Sequence, residues 1–243
     1  MPQELGYGEF AQRTNQGIEA FVSSVKKVND RPERIAFLGV TELTCWARTF
    51  GWDKVTRVIE PLILPLLAGE AVRSSESTNQ KVALGAGLAA GAVASVEQAR
   101  VPENPSGLGV AAVVGNQAGF ITRLVDKRAA ISAPSAIAAA GVLAAGIGLA
   151  AWKNPKLVPA TAIGGAATVV TAALANDERF RTTTTEEAGI SHGANLMVLA
   201  EGARVVRNTV FKGKKGLGVR LLEACTTGMQ SVGQMLLTDG VAK

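Results

Sequence analysis

Two acidic residues are set apart by what surrounds them. Glu97 and Glu201 each lie in a run of small apolar residues, and each has an arginine three positions on, Arg100 and Arg204. The two stretches echo one another, Ser95-Val96-Glu97-Gln98-Ala99-Arg100-Val101 against Ala200-Glu201-Gly202-Ala203-Arg204-Val205. An ionisable side chain is costly to bury in an apolar helix, so such a residue marks either a site or a paired structural contact. As a site, two carboxyl groups can divide general acid and general base work between them. As a contact, each acid pairs with its arginine at i, i+3. Around Glu201 the small residues Gly193, Ala194, Ala200, Gly202 and Ala203 let a neighbouring helix come close.

Other chemistries lack their residues. His192 is the single histidine, and Cys45 and Cys225 carry no metal-ligand spacing, so no metal and no cofactor is expected. His192 reads as a loop or helix-entry residue, and the cysteines as small core residues. No serine sits in a G-x-S-x-G elbow and no Walker-type phosphate loop is present. Gly85, Gly87, Gly91, Gly141, Gly146, Gly148, Gly164 and Gly165 read as close helix packing. Glu60, just before Pro61, reads as a residue favoured by a helix dipole. Glu42, near Arg48, either lines a polar path or marks a segment less deeply buried. The net charge of +5 and pI near 9.4 suit an anionic membrane surface. Nucleic acid is not an expected partner, because no aromatic and basic groove accompanies the charge.

The elements that must carry these residues follow from the distribution of apolar side chains. Of the 243 residues 47% are apolar and 19% charged, and the apolar ones come in blocks. That distribution predicts helices buried all round, and a mean hydropathy of +0.22 is compatible with alanine- and glycine-rich membrane helices. The alternative is a soluble alanine-rich bundle. Eight apolar segments fall near residues 35–50, 56–69, 81–99, 107–124, 130–152, 157–175, 190–207 and 218–238. Several are shorter than the ~20 residues that a bilayer core requires, so their ends must borrow from the flanks. Asn104-Pro105-Ser106-Gly107, Asn154-Pro155 and Lys212-Gly213-Lys214-Lys215-Gly216 supply turns, and residues 176–187, with four consecutive threonines, form the most polar internal loop. Residues 1–33 are polar, with Ile18, Phe21, Val22 and Val25 spaced as one face of an amphipathic helix. They lack the pattern of a secretory signal, so the first transmembrane helix is expected to direct insertion. The predicted fold is all-α, a polytopic eight-transmembrane-helix bundle over 34–243 with an amphipathic extension over 1–33. Basic residues nearly balance on the two sides of this layout, so charge gives no orientation. Gly115-Asn116-Gln117 and Gly228-Met229-Gln230, each following one of the acidic stretches, complete a weak internal repeat.

Over roughly residues 35–241 the chain resembles the YhhN family, the lysoplasmalogenase-like integral membrane proteins. Ile59-Glu60-Pro61-Leu62-Ile63-Leu64-Pro65-Leu66-Leu67 matches a T-K-P-L-x-x-P-L-L pattern with both prolines in register and glutamate for lysine. Val96-Glu97 stands where the third helix has G-D, and Gly115-Asn116 where the fourth carries a histidine after a glycine. Gly193-Ala194-Asn195-Leu196-Met197-Val198-Leu199-Ala200-Glu201 matches G-A-x-x-F-x-x-S-D with glutamate for aspartate. In the last helix Met229-Gln230-Ser231-Val232-Gly233-Gln234 keeps the terminal glutamine of T-Y-x-x-A-Q. The resemblance implies an integral, multi-pass protein of a bacterial-type plasma membrane in which Glu97 and Glu201 meet in a membrane cavity. It implies hydrolysis of an ether or vinyl-ether lysophospholipid, with Glu97 and Glu201 as the acid/base pair and Asn116, Gln117, Gln230 and Gln234 as hydrogen-bonding residues for the substrate. A vinyl ether needs a proton delivered to carbon and a water activated for attack, which two carboxyl groups can supply. The partner implied is membrane lipid. The other reading is a non-catalytic accessory or scaffold subunit that docks on other membrane subunits through its N-terminal helix.

Overall fold

Alanine and leucine carry the apolar blocks into helices, and glycine, proline and hydroxyl side chains end them. The computed structural model describes residues 3–29, 31–100, 103–181 and 184–242. Val101, which completes the first acidic echo, and Thr182 and Thr183 of the threonine run lie outside the described residues. The helices are α1 (Gln3–Lys26), α2 (Pro32–Phe50), α3 (Asp53–Ile59), α4 (Ile63–Ser74), α5 (Thr78–Arg100), α6 (Gly107–Asp126), α7 (Ala133–Lys153), α8 (Val158–Ala175), α9 (Thr185–Thr209) and α10 (Leu217–Val241); among the described residues there is no strand. Gly51 ends α2 at φ +74°, and the Gly51 and Trp52 N–H groups donate back to Arg48 and Ala47. Ser106, Ser132 and Thr184 begin α6, α7 and α9, each accepting a backbone N–H three residues on. The second apolar segment is two helices, because Pro61 and the 3-10 turn Glu60–Leu62 divide α3 from α4. Among the described residues four helical stretches are long and apolar enough to cross a membrane: α5, α6, α7 and Pro155–Ala175, which contains α8.

Seven helices close a ring in which each packs on the next: α2, α4, α5, α6, α8, α9, α10 and back to α2. Phe37, Leu67, Leu84, Leu88, Phe120, Leu124, Ile190, Met235 and Leu237 fill its interior. Two antiparallel pairs in the ring cross at glycine. A Cβ on Gly119 of α6 would lie 2.6 Å from the Ala83 carbonyl oxygen of α5, and one on Gly193 of α9 would lie 2.6 Å from the Gly233 carbonyl oxygen of α10. Outside the ring, α7 packs on α8 and α9 and buries only Ala150. Also outside is α1, which lies on α9 and α10 with Gly17 against the His192 ring and Ala20 against Gly189. Its Ile18, Phe21 and Val22 face outward, Ile18 at 56% exposure.

The two ends of the ring differ. One gathers the C-termini of α2, α5, α7 and α9 and the N-termini of α6, α8 and α10, and it holds a cavity of about 300 Å³. The other is closed by a buried ionic cluster that joins α2, α4 and α10. There Arg34 donates to Glu70 and, at 2.7 Å, to Asp239; Arg31 reaches Glu70 at 2.8 Å and Lys27 reaches Asp239 at 3.3 Å. Arg123 adds donors to the Val241 carbonyl at the end of α10, 3.0 and 3.2 Å away.

Candidate functional site

Glu97 stands in the last turn of α5, and Glu201 in the C-terminal half of α9; both line the 300 Å³ cavity. The Glu97 side chain is 13% exposed. Its Oε2 accepts from the Ser106 hydroxyl at 2.6 Å and its Oε1 from Arg100 at 3.0 Å. Ser106 Oγ also accepts the Gly109 N–H at 3.0 Å, so the cap that starts α6 orients the carboxylate that ends α5. Arg100 is 68% exposed, so this pair is screened by solvent. Glu201 Oε2 accepts from Arg204, whose other terminal nitrogen donates to Gln230 Oε1 on α10. Each acid therefore keeps the i, i+3 arginine that the spacing predicts and also faces the shared space.

The cavity wall is apolar on one side, with Ile63, Leu64, Val110, Val113, Leu157 and Val205. Its rim is charged. Arg48 of α2 donates to both oxygens of Glu60 at 2.6 and 2.8 Å and lies 3.9 Å from Glu223, which also accepts from Arg207. Arg57 lines the same rim from α3. This lining accepts a molecule with an apolar portion and a charged portion, and the two carboxylates give it groups able to donate and accept protons.

The six residues expected at the site divide into three places. Glu97, Glu201 and Gln230 line the main cavity. Asn116 and Gln117 instead line a chamber of about 20 Å³ that also touches Glu201, Arg204 and Gln230. Gln234 is fully buried between α10 and α6, where its Nε2 donates to Asn116 Oδ1 at 3.2 Å, and it lines neither space. Asn116 in turn donates to the Gly87 carbonyl at 3.0 Å, so its amide ties α5, α6 and α10 together. Of the four amides expected at the site, the main cavity is lined by Gln230 and not by Asn116, Gln117 or Gln234.

Several residues of the rim carry no sequence signal of their own. Arg48, Glu60, Arg207 and Glu223 are joined only by the packing of α2, the Glu60–Leu62 turn, α9 and α10. Glu60 offered the one hint, since it replaces the lysine of the family pattern. Its carboxylate stands in the first turn of the Glu60–Leu62 helix, as its place before Pro61 leads one to expect, and also pairs across to α2. Glu42 faces outward on α2, with the Trp46 indole N–H 3.4 Å from its Oε1. His192 lies inside α9, with Nε2 2.8 Å from the Arg13 carbonyl of α1 and Nδ1 3.1 Å from that of Ala188, so it is neither loop nor helix entry. Of the cysteines, Cys45 is partly buried against Ala224 and Cys225 is exposed, so the second is not a core residue. Among the described residues no three His, Cys, Asp or Glu side chains are grouped to hold a metal ion.

No curated protein and no solved structure matches the chain. The model of the YhhN family matches residues 55–241, more than half of the chain, and that span takes in both acids, α3 from its third residue on, and every helix of the ring except α2. With that match over most of its length, this chain belongs to the YhhN family.

Proposed function

We propose that the protein is an eight-span membrane hydrolase that cleaves the ether or vinyl-ether bond of a lysophospholipid, with residues 34–243 as its membrane domain in a bacterial-type plasma membrane. The observation that carries this reading is the shared cavity: carboxylates from two helices face one space whose wall is apolar and whose rim is charged. A single-chain amphiphile has the same division. All three tryptophans, Trp46, Trp52 and Trp152, are exposed on the elements that reach the cavity end, where an aromatic belt meets lipid headgroups. A headgroup at that depth sits at the charged rim, and the first bonds of the chain sit beside Glu97 and Glu201. Protonation of the vinyl carbon produces an oxocarbenium ion, water adds to it, and the hemiacetal collapses to a fatty aldehyde and a glycerophospho-alcohol.

Purified protein in detergent is expected to release aldehyde from a lysoplasmalogen. Glu97→Gln and Glu201→Gln are each expected to lower the rate by about 10²–10⁴-fold, the range for loss of a general acid or base. A folded wild-type protein that releases no aldehyde would sink the proposal. The outward stripe Ile18, Phe21 and Val22 of α1 favours a second reading, an accessory subunit that docks on other membrane proteins. Co-purification of stoichiometric partners, lost on Phe21→Ser and accompanied by no turnover, would establish it.

A further inference from the structure

The chamber of about 20 Å³ behind Glu201 is large enough for a water, which needs about 10–15 Å³. Gln98, Val113, Glu201, Arg204 and Gln230 line both the chamber and the main cavity, so the two spaces meet at Glu201. Glu97 lines the main cavity alone. Gln117 lines the chamber and is 3% exposed; its Oε1 has no hydrogen-bond partner among the described residues, and its Nε2 makes one long contact, 3.5 Å, to Asn116. Asn116 cannot turn to serve it, because Gly87 and Gln234 hold the Asn116 amide. On Glu201, Arg204 takes Oε2, and Oε1 has no hydrogen bond among the described residues. A buried amide with an unused acceptor therefore borders a water-sized space with an unused carboxylate oxygen.

Resting on the hydrolase reading above, we infer that this chamber holds the water that attacks the substrate, that Gln117 positions it, and that Glu201 is the base while Glu97 is the acid. Glu97 gives its proton to the vinyl carbon remote from oxygen, and the C=C electron pair forms the new C–H bond. The water oxygen then bonds to the oxocarbenium carbon as one water proton passes to Glu201, giving the hemiacetal. On collapse the hemiacetal hydroxyl proton returns to Glu97, the bond to the glycerol oxygen breaks, and the proton on Glu201 goes to that leaving oxygen. One water is consumed, and both carboxyl groups end as they began. Gln117 acts on the reaction through the water alone, so it is a positioning residue.

The test is competition by methanol, which would trap the oxocarbenium ion as a stable mixed methyl acetal. Wild-type protein with lysoplasmalogen in aqueous methanol is expected to yield aldehyde and no acetal, because the Gln117 amide and the Glu201 carboxylate hold a water at the attacking position. Gln117→Ala enlarges the chamber and removes the acceptor: acetal is expected to appear, with kcat down about a hundredfold, as for a misplaced reactant, and KM within twofold. Azide, which attacks without losing a proton, is expected to restore turnover to Glu201→Ala, as an α-azido ether, and not to Glu97→Ala. Acetal from the wild type in proportion to methanol would show that the nucleophile comes from the main cavity and would overturn the inference even if no variant folds. An unchanged kcat in Gln117→Ala, or azide rescue of Glu97→Ala, overturns it too while leaving the hydrolase intact. Absence of aldehyde from the wild type removes the hydrolase reading, and this inference with it.

Discussion

A carboxylate has two oxygens, and in this protein that decides what a charged residue in an apolar helix can do. Glu201 gives one oxygen to Arg204 and keeps the other beside the cavity and chamber, whereas Glu97 has Arg100 on one oxygen and on the other the Ser106 hydroxyl, which can turn to accept when the carboxyl carries a proton. The same counting explains Asp177, in the connection between α8 and α9. Burial works against its charge, but the Arg179 and Ala130 N–H groups, at 3.0 and 2.7 Å, and the Arg179 guanidinium outweigh it and hold its pKa below the usual carboxylate value. A depressed folded-state pKa contributes stability above the unfolded value, near 3.9, and loses it as pH falls through the folded value. Asp177→Asn is therefore expected to lower stability by about 1 kcal/mol at neutral pH. The gap between variant and wild type should shrink below about pH 4. Thermal unfolding in detergent across pH 3–7 measures this, and a gap that does not change with pH would refute the account.

At the scale of helices, glycine sets how close the pairs come. Gly119 and Gly193 meet backbone oxygens of the partner helix, which cannot swing aside as a side chain can. Alanine at either position is expected to cost about 1–3 kcal/mol through forced separation of α5 from α6 or α9 from α10. Gly39 on α2 has nothing within 4 Å of its would-be Cβ, so Gly39→Ala is expected to gain up to about 1 kcal/mol from helix propensity alone. Parallel melting curves of the three variants check the contrast, and equal behaviour would show that these crossings are not tight. The boundary at Ser106 was legible in the sequence, because a cap acts on its own turn, whereas the break at Pro61 divides a segment expected to be continuous and Thr184 starts α9 inside the stretch expected as a polar loop. The face that α1 buries was not legible either. Its apolar stripe is the natural candidate, yet the helix docks through Gly17 and Ala20, where a small surface lets it approach His192 and Gly189.

For the molecule as a whole, the ring is open at one end and pinned at the other. Arg34, fully buried, joins Glu70 of α4 to Asp239 of α10, and so ties the last turn of the chain to the start of α2. Arg34→Met leaves two buried acids short of their shared donor and is expected to cost about 3–5 kcal/mol. Because the cavity is at the opposite end, the aldehyde-release rate well below the melting temperature is expected to stay within about twofold, far less than the effect of losing a general acid or base. A large drop in turnover with little change in melting would mean that the cluster serves the site and not the closure of the ring.

The sequence by itself determined what depends on neighbours within a turn: most of the helical segments, an apolar content fit for membrane helices, the pairing of each acid with its arginine, and the ordered motifs that identify the family. Whether Glu97 and Glu201 face the same space, which amide meets the cavity, and that Arg34 finds Asp239, 205 residues away, were decided by the tertiary structure. The physical reason is that helical spacing reports only which residues share a face. Which faces meet depends on the order in which seven helices close their ring, and that order follows from packing summed over all of them.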